Sequence, residues 1–385
     1  MKKNEGLEGL RGWAAMIVVM SHLVLTIWPA MASGIEKDVR SRLDMAVFHS
    51  PLTIFYSGTF AVFVFFVMSG YVLSVKFFRT GDEQVIQDLF LKRYIRLMLP
   101  ALCSTIFACL LVKWGGFFGP EQSSLSKWFT AYSPSDNLAA AIYEGFWRCF
   151  ILGEANYNWA LWTMRVELLG SLLTFSICLL TKNAGKKWII YTFVSLALLW
   201  MVGASALYYI AFIVGIWIAE RPEFELGWIG TTLLILITLL FGGFLPGSLS
   251  HVAVSGFSMH INATLIPRET ICATIGGISI FIAVLGNKKL LGWFGRFATL
   301  GHRSFAIYLL HMPIMASIGA LAFQFSKAYF SNYNAAGAVM VITVIAVSYF
   351  LAGYYAKYID QNAIKLSAYL CRVFRKSSGK KMEAL

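Results

Sequence analysis

Long apolar stretches recur along the whole chain and are separated by short polar segments. A helix needs about 20 predominantly apolar residues to cross a bilayer, and several stretches reach that length. We predict ten membrane-spanning helices, at 12–30, 54–75, 97–114, 159–181, 187–203, 204–220, 227–245, 270–286, 304–324 and 337–357. The two stretches that meet at Gly203 could instead form one long bent helix. The pattern predicts an all-α, polytopic transmembrane bundle.

Four segments depart from the apolar pattern. Residues 80–96 form an amphipathic helix that is predicted to lie on the cytoplasmic side and to lead into the third span. Residues 115–158, rich in Trp and Tyr, and 246–269 are expected to be ordered outer loops that cap a cavity. The basic tail at about 358–385 is expected to lie against anionic headgroups. No soluble domain is appended, so we predict a single integral membrane domain, 1–385.

Composition and charge support a membrane protein. The chain has 385 residues, of which 58% are hydrophobic and 13% charged, whereas a soluble domain has about 25% charged residues. The net charge of +13 could indicate a nucleic-acid partner, but 23 lysines and arginines fall in the predicted inside segments and 8 outside, with Arg165 within a span. This is the positive-inside pattern. It predicts a multi-pass protein of the inner (cell) membrane with both termini cytoplasmic and no nucleic-acid partner. The cysteines form no metal-binding pattern, and no metal is expected.

Arg11 and His22 are ionisable residues at the first apolar stretch, where such groups are costly and are therefore candidates for function. They are eleven positions apart, about 16 Å along a helix, and this spacing places both side chains on one face. We expect Arg11 at the cytoplasmic edge and His22 near mid-membrane, on the wall of one cavity. A neutral buried imidazole can take a proton from a hydroxyl. The alternative is a structural histidine, with Arg11 as a topology anchor.

Two basic motifs lie near the predicted cytoplasmic ends of the second and third spans. Ser69 and Lys76 are seven positions apart and share one helical face, and Gly70 permits close helix approach. Arg93 and Arg96 are three apart and lie on one side of a helix. Guanidinium groups bind phosphates through paired hydrogen bonds, so this pair suits a phosphate-bearing ligand. Both motifs could equally anchor the topology of the chain, because lysine and arginine side chains extend to the headgroup region.

Polar residues also occur in the fourth and ninth spans. Arg165 and Glu167 point to nearly opposite faces of the fourth span and each needs a partner elsewhere. Glu167 is a catalytic candidate that could orient a histidine or hold a sugar hydroxyl, and Trp162 could stack on a sugar ring. The alternative for the charged pair is an interhelical salt bridge. Tyr308 and His311, three positions apart in the ninth span, are further substrate-binding candidates, although a lone histidine before a proline is commonly structural.

Five motifs in the same order resemble those of the acyltransferase 3 family of membrane-bound acyltransferases, and the resemblance covers nearly the whole chain. They are LEGLRGWAAMIVVMSH, FFVMSGYVLSVK, KRYIRLMLP, LWTMRVELLGS and LGHRSFAIYLLHMP. The first is similar to the family's Arg or Lys separated by ten residues from a His, and the second to its Ser-Gly-Phe motif, with Tyr71 in place of Phe. The fourth and fifth depart at Arg165, Leu168 and Phe305, which leaves the identity of the acceptor open.

The resemblance implies transfer of an acyl group, most simply acetyl, from cytoplasmic acyl-CoA to a hydroxyl of an extracytoplasmic or lipid-linked carbohydrate. It also implies that His22 is the catalytic histidine and that Arg11, Arg93 and Arg96 lie near the CoA. His22 could activate the acceptor hydroxyl directly or carry the acyl group briefly. Two other functions stay open: a transporter or flippase of a lipid-linked glycan, and an inactive sensor with the same fold. Inverted repeats, which are common in transporters, are not evident.

Overall fold

The computed structural model of the protein describes residues 4–118, 124–254, 256, 259–261 and 264–382. Its α-helices are α1 Glu5–Ile27, α2 Pro29–Ser33, α3 Arg42–Phe48, α4 Gly58–Thr80, α5 Glu83–Lys113, α6 Lys127–Thr130, α7 Leu138–Tyr143, α8 Cys149–Ile151, α9 Thr163–Thr181, α10 Lys187–Val202, α11 Ala206–Glu220, α12 Trp228–Gly242, α13 Arg268–Gly286, α14 Lys288–Gly295, α15 Ala298–Ile314, α16 Ala320–Phe330, α17 Tyr333–Tyr355 and α18 Gln361–Met382. Short 3-10 helices cover Glu36–Asp38, Pro51–Tyr56, Trp159–Trp162, Gly203–Ser205 and Leu249–Val254, and π-helical turns cover Glu144–Arg148, Met315–Gly319 and Ala356–Asp360. Strands β1 Met259–Ile261 and β2 Thr264–Ile266 pair as one small antiparallel hairpin.

The prediction of a polytopic helical bundle is confirmed. Within the described ranges, eight helical stretches are long and apolar enough to span a membrane: Glu5–Ile27, Gly58–Thr80, Glu83–Lys113, Trp159–Thr181, Lys187–Glu220, Arg268–Gly286, Ala298–Phe330 and Tyr333–Arg375. The fifth is broken at Gly203, which has a φ of 57°, into α10 and α11. Helix α12 is apolar but only 15 residues long. The count of ten spans and the cytoplasmic position of both ends stay predictions.

From Glu83 onward, the amphipathic segment 80–96 and the third span form one continuous helix, α5, of 31 residues. Neither glycine nor proline occurs between Glu83 and Leu99, and Pro100 lies inside the helix without ending it. Asp88 in its first half pairs with Arg375 of α18, and Arg93 pairs with Glu167 of α9. The amphipathic segment is thereby fixed to the bundle.

Helices α1 and α15 pack backbone against backbone through glycines. A Cβ atom added to Gly301 would lie 1.9 Å from the carbonyl oxygen of Glu8, and one added to Gly12 would lie 2.7 Å from the amide nitrogen of Gly301. Only glycine permits so close an approach, as small residues do generally at helix interfaces in membranes. The contact places the polar residues of α1 directly against those of α15.

The described part of the predicted outer segment 115–158 is folded onto the ends of the bundle. The N–H of Phe118 donates to the carbonyl of Ala316 at 3.1 Å, and the N–H of Ser126 donates to the carbonyl of Thr26 at 3.0 Å. The buried carboxylate of Glu144 accepts backbone N–H groups from residues 156 and 157 at 2.9 and 2.8 Å. These contacts tie a segment that is rich in aromatic residues to the end of α1.

Candidate active site

The two histidines that the sequence indicates lie side by side. Nδ1 of His22, on α1, is 2.7 Å from Nε2 of His311, on α15. The ring centroids are 5.0 Å apart and the ring planes differ by 5°. A short distance between ring nitrogens at that centroid separation means that the rings meet edge to edge in nearly one plane. The pair therefore forms an in-plane hydrogen bond.

The hydrogen bonds of His311 assign the tautomer of both rings. Nδ1 of His311 is 2.7 Å from the carbonyl oxygen of Tyr308. A carbonyl oxygen can only accept, so Nδ1 of His311 carries the proton and its Nε2 is an acceptor in the neutral ring. Nδ1 of His22 must then be the donor within the pair, and Nε2 of His22 keeps a free lone pair. The network thus leaves Nε2 of His22 as the basic nitrogen.

A proline next to His311 shapes the helical turn that carries it. Pro313 has no N–H, so the carbonyl oxygen of Leu309 lacks its helical partner. The side-chain amide of Asn158 replaces that partner, donating to Leu309 O at 2.7 Å and to Ser104 Oγ at 3.2 Å. Because these buried polar groups are paired, the turn around the fully buried His311 has one defined arrangement.

An aromatic cluster that the sequence did not single out lies against His22. The ring of Trp128, on α6, is 5.4 Å from the His22 ring, with 13° between the planes. Trp159 meets Trp128 at 5.2 Å and 69°, and Tyr132 lies 5.2 Å from Trp159. The enrichment of Trp and Tyr in 115–158 was the signal for a cap over a cavity. His22 lies near this cap, closer to the end of α1 at Ile27 than to the middle of the helix.

A cavity of about 760 Å³ lies between α1, α4, α5, α9 and α15. Along α4 it extends from Arg79 to Val62, a helical length of about 26 Å. Five basic and four acidic side chains line it. Seven of the residues predicted from the sequence are among its lining residues: Arg11, Ser69, Lys76, Arg93, Arg96, Glu167 and Tyr308.

The histidine pair lies next to this cavity without lining it. Tyr308 lines the cavity and its backbone carbonyl accepts from His311. The Tyr308 hydroxyl is 2.8 Å from Thr163 Oγ1 and 2.7 Å from the carbonyl of Ala160. Tyr308 and His311 are three positions apart on α15, which corresponds to a rise of about 4.5 Å along the helix. One helical turn therefore connects the cavity wall to the pair.

Glu167 and Arg93 form an ion pair within the cavity. Arg93 also donates from Nε to Ser171 Oγ at 2.7 Å, and Ser69 donates to the Glu167 carboxylate at 2.7 Å. The side chains of Arg93 and Glu167 are 11% and 15% exposed, so removing either one would leave a largely buried charge without its partner. Glu167 was expected to orient a histidine or hold a sugar at the outer end. Its described contacts join it instead to Arg93 and Ser69 in the cavity, because positions 163, 167 and 171 share the inward face of α9.

Arg11 joins α1 to α15. Its guanidinium donates to Ser304 Oγ and to the carbonyl of Gly301, both at 2.9 Å, and pairs with Glu8 at 2.6 Å. Arg11 and His22 thus both contact α15, as their spacing of eleven residues predicts.

Arg96 and Lys76 differ from the other basic residues of the cavity. Arg11 pairs with Glu8, and Arg93 pairs with Glu167. For the side chains of Arg96 and Lys76, the described part of the chain provides neither a hydrogen bond nor an ion pair. These two cations are therefore available to an anionic ligand.

Trp162 and Arg165 do not come together with the histidine pair. Both are exposed, and Trp162 packs against Tyr208 at a centroid distance of 5.6 Å. The Arg165 side chain lies against Gly153: a Cβ atom added to this glycine would be 3.3 Å from Cδ of Arg165. Glu167 turns inward whereas Arg165 stays on the exposed face, as the sequence predicts for residues two positions apart on a helix.

Comparison with known proteins identifies the family. A family model described as an acyltransferase domain, that of the acyltransferase 3 family, matches residues 4–359. The O-acetyltransferase PaAT-1 of Phomopsis amygdali is 27% identical to the chain over 195 residues, which are 43% of this chain and 38% of that protein. The chain thus matches well under half the length of this relative. No solved structure matches the chain. The multi-pass helical protein belongs to the acyltransferase 3 family of membrane-bound acyltransferases.

Proposed function

We propose that the protein is an O-acyltransferase that moves an acyl group, most simply acetyl, from cytoplasmic acyl-CoA to a hydroxyl of an extracytoplasmic or lipid-linked carbohydrate. The observation that carries the proposal is the His22–His311 hydrogen bond, which leaves Nε2 of His22 unprotonated one helical turn from a cation-lined cavity. Family membership supports acyl transfer. The name of the Phomopsis relative, an O-acetyltransferase, supports an acetyl group and an oxygen acceptor.

In the proposed reaction, His22 acts as a general base for direct transfer. Nε2 takes the proton of the acceptor hydroxyl while the hydroxyl oxygen forms a bond to the thioester carbonyl carbon. The C–S bond breaks, and the proton then passes from Nε2 to the leaving CoA thiolate, so the imidazole returns to its neutral form. His311 holds the reactive tautomer by accepting from Nδ1–H. Proton transfer of this kind contributes about 10²–10⁴-fold to the rate.

Arg96 and Lys76 are the proposed ligands of the CoA phosphates. They are the cavity cations without a described partner, and guanidinium and ammonium groups both bind phosphate oxygens. The cavity volume of about 760 Å³ is within the usual range for small-molecule sites. The pantetheine arm would run along α4 and bring the thioester to Tyr308.

Arg93, Glu167 and Ser69 are proposed to shape the donor site rather than to react. Their mutual hydrogen bonds hold one wall of the cavity, and Arg11 holds another by joining α1 to α15. The roles of Glu167 in catalysis and of Arg11, Arg93 and Ser69 in direct CoA contact stay predictions.

A carbohydrate acceptor is supported by the aromatic cluster beside His22. The half-buried Trp128 lies in the predicted outer segment 115–158, and the half-buried Trp159 directly follows it. Aromatic rings present flat apolar surfaces that fit the faces of sugar rings. Binding of the acceptor by Trp162, Arg165, Tyr308 and His311 stays a prediction. The contacts of His311 favour a different role for it, which is to hold His22 in place through a hydrogen bond.

The test uses the protein purified in detergent with acetyl-CoA and a panel of methyl glycosides of glucose, galactose, mannose and N-acetylglucosamine. We expect CoA thiol release together with a glycoside that is heavier by one acetyl group in mass spectrometry. The fully O-methylated glycosides are the matched control and should not be acetylated. Thiol release without any acetylated glycoside would contradict the carbohydrate acceptor. The absence of both products would contradict acyl transfer and favour a transporter.

A further inference from the structure

The ring of Trp128 lies beside the His22 ring and nearly parallel to it. Its ring plane is within 13° of that of His22 at a centroid distance of 5.4 Å, which is the offset-parallel arrangement that aromatic rings favour. The edge of His22 at Nδ1 is occupied by His311 at 2.7 Å. The hydrogen bond at this edge and the parallel indole ring together restrict the rotation of the imidazole about both of its side-chain torsions, so Nε2 points in one direction.

The segment that carries Trp128 is anchored to the same helix as His22. The N–H of Ser126 donates to the carbonyl of Thr26 at 3.0 Å, and Thr26 Oγ1 donates to the carbonyl of His22 at 2.7 Å. Ser126 Oγ accepts a hydrogen bond from the N–H of Phe129 and so caps the start of α6. The tryptophan is thus tied to α1 within a few residues of the histidine.

A second ring holds Trp128 from its edge. Trp159 meets it nearly perpendicularly, at 69° and 5.2 Å. Asn158, immediately before Trp159, donates to the carbonyl of Leu309 on α15 at 2.7 Å. The predicted outer segment is therefore attached both to α1, which carries His22, and to α15, which carries His311.

The contact between Trp128 and His22 has a consequence for the charge that develops on His22. As Nε2 takes the hydroxyl proton, His22 becomes an imidazolium whose ring centroid is 5.4 Å from that of Trp128. The negative face of an indole attracts a cation, and most strongly where water is excluded. The attraction is weaker for the neutral imidazole, so it acts mainly on the transition state and raises the rate of the chemical step rather than substrate affinity.

We propose that Trp128, supplied by the predicted outer segment, is a positioning residue for His22 that fixes its ring and stabilises its protonated form during acyl transfer. The proposal rests on the proposed function of His22 as general base. It assigns the outer segment a part in catalysis in addition to covering the site. An aromatic ring at position 128 is the requirement, because both effects depend on its flat face.

The experiment compares purified wild type, Trp128→Phe and Trp128→Leu in acetyl-CoA thiol release, with the methyl glycoside that the wild type acetylates best. Trp128→Leu should lower kcat on the order of tenfold and change the KM of acetyl-CoA by less than about twofold. Trp128→Phe should recover most of the lost rate. Trp114→Leu is the matched control, because Trp114 lies at the predicted outer end of the third span and is 76% exposed.

The outcomes separate the inference from the proposed function. Equal kcat in wild type and Trp128→Leu, or equal loss in the Leu and Phe variants, would overturn the role of Trp128 and leave the proposed function intact. A wild type without thiol release would overturn both. Unfolding temperatures in detergent identify a Leu variant that is simply misfolded. In that case Trp128→Phe decides, because a kcat below half of the wild-type value in a folded Phe variant would contradict the requirement for an aromatic face.

Discussion

Replacing His311 by asparagine or glutamine should separate its two hydrogen bonds. An asparagine amide reaches about as far as Nδ1 and can still donate to the carbonyl of Tyr308, but it provides no acceptor for His22. A glutamine amide reaches about as far as Nε2, so its oxygen can accept from Nδ1–H of His22. We therefore expect His311→Gln to keep the reactive tautomer of His22 and His311→Asn to lose it.

The size of the effect follows from the contacts of the pair. The hydrogen bond between the rings is 2.7 Å long and His311 is fully buried, so its loss leaves the Nδ1–H of His22 without a partner, at a cost of about 1–3 kcal/mol. If that cost falls on the reactive state, kcat decreases by about 5- to 150-fold. His311→Gln should remain within about fivefold of wild type.

The assay is acetyl-CoA thiol release at saturating donor, with the unfolding temperature of each variant measured in the same detergent. Each variant keeps one hydrogen bond of the wild-type side chain, and the unfolding temperatures show which variants are folded. Between folded variants, a difference in kcat reports the tautomer of His22. Equal activity in the two variants, or a more active Asn variant, would refute the tautomer assignment.

Three further predictions concern the donor site, the helix interface and the topology. Arg96→Gln should raise the KM of acetyl-CoA by about tenfold and make it less sensitive to salt, because one charged hydrogen bond contributes about 1.5–3 kcal/mol. Arg93→Gln should instead lower the unfolding temperature, because it leaves the largely buried carboxylate of Glu167 without its cation. Acetyl-CoA titrations at two salt concentrations, together with melting curves, separate the loss of donor binding from the loss of stability. Gly301→Ala should abolish thiol release and lower the yield of folded protein in size-exclusion chromatography, because the added Cβ would lie 1.9 Å from a backbone oxygen of α1. Reporter fusions within 182–187 should report the cytoplasm and those within 124–158 the outside, and an inverted result would contradict the orientation derived from the basic residues.

Helical periodicity predicted a large part of the fold and one wall of the site. The spacing of eleven positions from Arg11 to His22 places both on one face of α1, and both side chains contact α15. The opposite orientations of Arg165 and Glu167 follow from the same geometry. These predictions hold because they concern residues on one helix, where spacing determines direction.

The partners of these residues could not be predicted, because they come from distant parts of the chain. His311 is 289 positions from His22 and Arg93 is 74 positions from Glu167. Spacing within one helix carries no information about which other helix packs against it. Trp128 was missed for a related reason: the composition of 115–158 indicates an aromatic cap but not the ring that contacts the histidine.

The acetyl-transfer activity of His22→Asn tests the central claim most directly. The asparagine amide can still donate to Nε2 of His311, so the pair keeps its hydrogen bond while the basic Nε2 is removed. His49→Asn is the matched control, because His49 lies outside the cavity and its Nδ1 accepts the N–H of Leu249. If His22 is the general base, folded His22→Asn should lose about 10²–10⁴-fold in kcat with an unchanged affinity for acetyl-CoA, and His49→Asn should match wild type. A folded His22→Asn variant with kcat near the wild-type value would show that the proton of the acceptor is taken by another group.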